Sequence, residues 1–365
     1  MRVIRHSADC FRNLKNTVIE ADPRMNIIYG ENGQGKTNLI ESMWLFTGCY
    51  SFRTHKNAQL ICDGEEKARA AIRFFSEARE QTAEMTVGKT KELILNGSPC
   101  DSPRAMIGKF CCVVFSPSTL SVVKDGPAER RKLLDIAISL TKPNYAVIMS
   151  RYLRILGQRN NLLRKVAEGK TDPSFLEPWD LSLATTGAAL VQYRLQYLEQ
   201  MAPLAAQIYG GISSSRETFG LYYSFMKNEE NRTAEDIEKK LLDGLQKSRE
   251  ADLRRLYTGF GPHADDLILL LNNKDARAYG SQGQQRSCAL ALKLSEASVM
   301  GQITGEAPVV LLDDVMSELD EGRQKFILNY LDSWQVFITC CDPSQLLRSE
   351  TGKVFEVKDG SVDCR

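Results

Sequence analysis

Three short stretches of this chain carry the residue types that phosphate chemistry needs. Gly30-Glu31-Asn32-Gly33-Gln34-Gly35-Lys36-Thr37 has the spacing GxxxxGK[ST] of a phosphate-binding loop. Its glycines allow backbone N–H groups to turn inward on phosphate oxygens, and a helix opening near Lys36 aims its positive dipole end at them. Lys36 is expected to reach the β- and γ-phosphates and Thr37 to ligate Mg²⁺, with Asn38 completing the candidate contacts. Val309-Val310-Leu311-Leu312-Asp313-Asp314 is an apolar run ending in two carboxylates, the form of a Walker B motif. Asp313 is expected to hold Mg²⁺ through water, and Asp314 stands where a general base orients the attacking water, which makes Lys36 and Asp314 the candidate catalytic pair. Aspartate's reach is short, so hydrolysis is expected to be slow. Ser281-Gln282-Gly283-Gln284-Gln285 precedes an Ala/Leu-rich stretch. There the Ser281 hydroxyl, the Gly283 backbone and Gln284 could form a second anion site at a helix start. Each stretch alone has an ordinary reading, respectively a glycine turn, a solvated acidic turn and an N-cap.

The surrounding pattern decides between these readings. Met25–Tyr29 reads as a buried strand feeding the loop, and Asn38–Gly48 has helical apolar spacing closed by glycine. Arg2–Arg5 and Thr17–Glu20 are further short strands, and residues 70–115 alternate in short strand-like pieces with Asn96-Gly97 as a turn signal. From about 128 to 256 the character changes to long helical periods: Arg131–Ser139, Tyr145–Glu168, Glu177–Tyr209 and Thr233–Leu256. Strand-like runs resume at Asp266–Leu271, Val309–Leu312 and Val336–Thr339. The expected fold is α/β, a P-loop ATPase head with mixed sheets (1–125 plus 258–365) and an inserted helical lobe (126–257).

Composition narrows the function classes. With 43% apolar content in 365 residues the chain can bury a large core. A formal charge of +1 gives no global electrostatic case for nucleic acid or membrane, so any DNA contact must come from a local patch. The ten cysteines show no CxxC spacing, and Cys111-Cys112 and Cys340-Cys341 lie in or beside apolar runs, as small buried hydrophobes do. No leader-like N-terminus and no long apolar span is present, so a soluble, cytoplasmic protein is expected. The best local DNA candidate is the helix with Arg151, Arg154, Gln158, Asn161 and Lys165 on one face. The competing reading of that stripe is a solvated face.

Taken in order, loop, SxGQ and carboxylates resemble the ABC-type ATPases, whose signature motif closes over nucleotide held by a second subunit. Ser317-Glu318-Leu319-Asp320 stands at the place of that superfamily's D-loop. Where many members carry a switch histidine, this chain has Thr339-Cys340-Cys341-Asp342, which leaves Thr339 as the substitute γ-phosphate sensor. Roughly 245 residues separate loop and signature, unlike transporter ATPases, and the chain has no room for the long coiled-coil arms of SMC proteins.

The whole chain instead resembles the RecF family. The resemblance rests on Phe11-Arg12-Asn13, Gly30–Thr37 continuing into Asn38-Leu39-Ile40-Glu41, Ser51-Phe52-Arg53-Thr54, Phe115-Ser116-Pro117 and Gly126-Pro127. It continues through Arg130-Arg131, Leu134-Asp135, Gln158-Arg159-Asn160, Gly261-Pro262-His263, Gly280–Gln284 and Asp313-Asp314. It implies a weak, DNA-stimulated ATPase used as a switch: an ATP-dependent homodimer that clamps double-stranded and gapped DNA. Such a dimer works with RecR and RecO to load recombinase in DNA damage and SOS responses, with ATP and Mg²⁺ as cofactors. It also implies that Arg53 approaches the nucleotide. Ser118 and Ala264 depart from the family's usual glutamate and arginine. The competing functions are a P-loop ATPase of defence or signalling with no DNA role, and an adaptor with a relic site, against which the intact Lys36, Thr37, Asp313 and Asp314 argue.

Overall fold

Strands covered on both faces belong in the middle of a parallel sheet. Met25–Tyr29 is buried over its first four residues, and Val309–Asp313 and Cys112–Phe115 are buried throughout. In the computed structural model, which describes residues 1–120, 122–226, 233–343 and 352–365, these runs share one sheet. Its order is Ser361–Cys364, Lys353–Lys358, Met25–Tyr29, Val336–Cys340, Val309–Asp313, Cys112–Phe115. Pairing is parallel except for the outermost hairpin. The register sets Asp313 opposite Thr339 and Cys340 opposite Tyr29, so three carboxyl ends lie side by side. That edge is where open α/β sheets bind ligands.

A second, antiparallel sheet runs Thr17–Glu20, Arg2–Asp9, Ala68–Ser76, Arg79–Val87, Lys91–Leu95, Ser98–Cys100. Burial alternates along Ala68–Ser76 and Arg79–Val87, as expected of a sheet with one face on the core. The helix after the phosphate loop spans Lys36–Trp44, followed by a 3₁₀ turn Leu45–Thr47 and Gly48 in the left-handed conformation. His6 is fully buried against the Ser42 hydroxyl at 2.7 Å, and burial pushes its pKa down to about 3, so it is a neutral core residue. Cys111 and Cys112 are buried as the sequence suggests, and burial pushes the Cys111 thiol up to about 12.

The chain divides into two compact units. One comprises Met1–Ser121, Gly211–Ser215 and Ala289–Arg365, and holds both sheets described so far. The other comprises Val122–Gly210 and Arg216–Cys288. Its helices Pro127–Thr141 and Pro143–Ala167 each open on a proline, which suits the first helical position. Glu177–Ser213 and Ala234–Arg255 follow. Thr233 caps the last of these by accepting the Asp236 amide at 3.2 Å. Phe219–Tyr223, which carries little strand signal in sequence, pairs antiparallel with Leu267–Leu271. That pairing draws 258–288 into the helix-bearing unit, whereas the sequence grouping sets them with the phosphate loop. Among the described residues no helix is long and apolar enough to cross a membrane.

The second unit is organised around two buried arginines. Arg159, fully buried, donates to Asp180 Oδ1 at 2.6 Å, Asp252 Oδ2 at 2.8 Å and Thr258 Oγ1 at 2.7 Å. Arg194 binds the Asp135 carboxylate at 2.8 Å and donates to Tyr223 Oη at 2.7 Å and the Pro262 carbonyl at 2.6 Å. The Gln158-Arg159-Asn160 and Gly261-Pro262-His263 motifs thus carry internal polar networks, in which the buried guanidiniums face carboxylates, although Arg159 Nη2 has no hydrogen-bond partner among the described residues.

Candidate nucleotide site

The phosphate loop leaves the sheet edge at Gly30, where backbone from another strand passes so close that a side chain could not fit. A Cβ there would lie 2.3 Å from the Val357 carbonyl oxygen. The loop then turns back into the helix, and Lys36, 4% exposed, folds its ammonium onto the loop itself. Nζ donates to the Gly30 carbonyl at 2.7 Å and the Glu31 carbonyl at 3.1 Å, and lies 3.8 Å from Cys341 Sγ. Glu31 therefore takes part through its carbonyl.

Thr37 Oγ1 donates to Asp313 Oδ1 at 2.9 Å, which brings the two expected Mg²⁺ ligands together across 276 residues. Thr339 Oγ1 donates to the same carboxylate oxygen at 2.9 Å and accepts the Asp314 amide at 2.8 Å. Burial raises the Asp313 pKa, the Thr339 and Thr37 hydroxyls oppose that, the Asp314 charge adds to it, and Arg53 lowers it. Asp314 adopts a left-handed backbone, φ 53°, that aspartate tolerates better than most residues. Thr339 is fully buried, and its one O–H is donated to Asp313. The group that leaves this strand end towards the loop is the exposed Cys341, whose thiol donates to Asn32 Oδ1 at 3.2 Å.

A cleft of about 810 Å³ opens over these groups. Asn32, Gly33, Gln34, Gly35, Lys36, Thr37, Asn38, Arg53 and Asp314 line it, while Gly30, Glu31 and Asp313 do not. Arg12, Asn13, Lys15, Gln59, Cys62, Asp63 and Asp359 also line it. None of these was a sequence-based site candidate; Phe11-Arg12-Asn13 was a visible signal, but nothing in its spacing ties it to a loop 20 residues away. Asn13 connects the two by accepting from Asn38 Nδ2 at 2.7 Å and donating to the Gly33 carbonyl at 3.1 Å. On the other side, the Asp359 amide donates to Gln34 Oε1 at 2.5 Å and the Gly360 amide to the Gln34 carbonyl at 3.1 Å. The turn of the C-terminal hairpin is thereby fastened to the loop.

Ser281, Gly283 and Gln284 belong to the other unit, at the start of the helix Gln282–Thr304. Ser281 and Gln284 form a reciprocal capping box, with Ser281 N to Gln284 Oε1 at 2.7 Å and Gln284 N to Ser281 Oγ at 3.3 Å. Gln284 Nε2 also donates to Glu217. Asp320 caps the helix Glu321–Tyr330 through the Arg323 amide at 2.9 Å, and Ser317 Oγ donates to the Asp314 carbonyl at 2.9 Å. Arg151, Arg154, Gln158, Asn161 and Lys165 are all exposed on Pro143–Ala167, and no ion pair engages Arg151, Arg154 or Lys165 among the described residues. Of the two departures, Ser118 shares a hydroxyl contact with Ser116 at 2.8 Å, and Ala264 is exposed.

The model of the RecF/RecN/SMC N terminal domain family matches residues 3–362. The chain is 37% identical to the DNA replication and repair protein RecF of Halothermothrix orenii, over 96% of both chains, and 41% identical to that of Heliobacterium modesticaldum, also over 96% of both. A solved structure of the recombination mediator protein RecF-ATP in the RecFOR pathway aligns with TM-score 0.90 at 37% identity, covering 100% of this chain and 97% of the other. An Smc head bound to the C-winged helix domain of ScpA aligns with TM-score 0.58 at 15% identity, covering 100% of this chain and 98% of the other, a likeness of fold. The fold is thus the mixed α/β ABC-type ATPase head, and the chain belongs to the RecF family of DNA replication and repair proteins.

Proposed function

We propose that this chain is an ATP-gated DNA-binding protein of recombinational repair and replication-fork maintenance. ATP, held by Asn32–Asn38 with Lys36 on the phosphates, joins two copies into a homodimer that clamps duplex or gapped DNA. The dimer assists RecO and RecR in loading recombinase, and slow hydrolysis with Asp314 as base resets it. The observation that carries this reading is the make-up of the cleft: Lys36, Thr37 and Asp314 are gathered at one sheet edge. In this reading Ser281, Gly283 and Gln284 close over the nucleotide of a second copy, so closure requires two chains. The oxygen donors of Thr37 and Asp313, already sharing a hydrogen bond, suit a hard cation and would hold Mg²⁺, which supplies charge neutralisation at the phosphates. Arg151, Arg154 and Lys165 supply a sequence-independent phosphate footprint.

Duplex affinity at fixed salt, with and without ATP, tests the reading. ATP is expected to tighten binding, and Arg151→Glu/Arg154→Glu is expected to weaken it and lower the salt slope by about 2. Equal affinity with and without ATP in the wild type would leave a nucleotide hydrolase of defence or signalling as the better account. An unchanged slope in the variant removes this face from the footprint.

A further inference from the structure

Two arginines that line the cleft come from distant loops, Arg12 and Arg53, and one buried carboxylate holds both. Glu41 follows Asn38 by three residues on the helix Lys36–Trp44, so both point to the same side. It is fully buried, and Arg12 grips it with two prongs, Nε to Oε2 at 2.5 Å and Nη2 to Oε1 at 2.8 Å. Arg53 Nη1 lies 3.4 Å from Oε2 and donates to Asn38 Oδ1 at 2.7 Å. Ser51 Oγ donates to Oε1 and accepts the amides of Arg53 at 2.9 Å and Thr54 at 3.0 Å, tying the loop that carries Arg53 to the same carboxylate.

A lone carboxylate in such a place is strongly unfavourable, and here two guanidiniums offset it. Two cations against one anion leave the Glu41 cluster itself with a surplus positive charge, in the cleft that Lys36 also lines. The helix that presents its N-terminal end to the phosphates therefore also presents, one turn further on, the group that aligns the cleft's two arginines. Long, rotamer-rich side chains lose less freedom on binding a ligand when they are already aligned.

We propose that Glu41 is a positioning residue for nucleotide binding, fixing Arg12 and Arg53 as a cationic wall along the polyphosphate. This rests on the reading of the cleft as the ATP site. The role has an unusual sign. Acting only as a charge, a carboxylate near a polyphosphate repels it, so neutralising Glu41 would tighten binding. Acting as an anchor, its loss frees both arginines and loosens binding.

The experiment is equilibrium binding of a fluorescent ATP analogue to the full chain and its variants, with Lys36→Ala as the non-binding control. Glu41→Gln is expected to raise the dissociation constant about tenfold, but by less than about twofold in an Arg12→Ala/Arg53→Ala background, because the anchor then has nothing to hold. Ser51→Ala, which removes only a hydroxyl, is expected to shift it about threefold in the same direction and covers the case of a poorly folded Glu41→Gln. Unchanged or tighter binding in both Glu41→Gln and Ser51→Ala overturns the proposal, and so does an equal loss in the two backgrounds, which marks a general structural role. A wild-type chain that fails to bind the analogue overturns the site reading itself, and this inference with it.

Discussion

Thr339 uses its single hydroxyl twice, as donor to the Asp313 carboxylate and acceptor for the Asp314 backbone amide, and so ties the two adjacent residues to one side chain. The same residue-scale economy appears in the second unit around Asp265. Burial raises its pKa to about 6, against a hydrogen bond from Tyr223 Oη at 2.7 Å and the charges of Arg194, Arg131 and Lys240, all of which favour the carboxylate. A carboxyl that holds its proton more tightly when folded than when unfolded binds more protons in the native state, so stability falls as pH rises through about 6. Asp265→Asn, which keeps an acceptor for Tyr223, is therefore expected to stabilise the protein by about 2 kcal/mol at pH 8, with the gain vanishing near pH 4. Urea denaturation of both proteins at the two pH values checks this, and an equal difference at both would remove the titration from the account. At this scale the sequence was most legible where chemistry demands fixed spacing. Lys36, Thr37, Asp313 and Asp314 carry such spacing, and the structure gathers them at one place. Cys62, Asp63 and Asp359 reach the cleft only through tertiary folding, and no sequence motif points to a role for them there.

Among the elements, the hairpin Lys353–Lys358 and Ser361–Cys364 does more than extend the sheet. Its turn, Asp359-Gly360, supplies two amides to Gln34, and the Gly360 carbonyl accepts the Lys15 amide at 3.0 Å. Gly360 has φ 79°, and a Cβ there would lie 1.9 Å from the Asn13 carbonyl oxygen. Gly360→Ala must therefore push the turn off the loop. The expected result is a loss of about 1–3 kcal/mol in stability and a several-fold weaker ATP analogue affinity. A variant that loses stability but binds as tightly as wild type would show that the hairpin is no brace. The sequence analysis does not assign this hairpin, although Asp359-Gly360 between two alternating runs is itself a hairpin signal. The strand Phe219–Tyr223 carries a weaker signal: Gly220 interrupts it, and its partner Leu267–Leu271 lies far along the chain. By contrast, the helix Lys36–Trp44 and the buried strands Met25–Tyr29 and Val309–Asp313 were legible because their apolar periods are strong.

For the molecule as a whole, the decisive feature is that loop and signature belong to different compact units of one chain. If two copies complete each other's sites, assembly state becomes a readout of nucleotide chemistry. Sedimentation with ATP is expected to show dimers for wild type, monomers for Lys36→Ala and a persistent dimer for Asp314→Asn; identical profiles for all three would refute the coupling.

The bond between Asp359 and Gln34 spans 325 residues. At ribosomal speeds of ~5–20 residues per second, the nucleotide motif emerges tens of seconds before the turn that shapes it. A nascent chain thus carries its nucleotide motif long before the turn that is bonded to it, and the loop gains its last hydrogen bonds only when nearly the whole polypeptide has emerged.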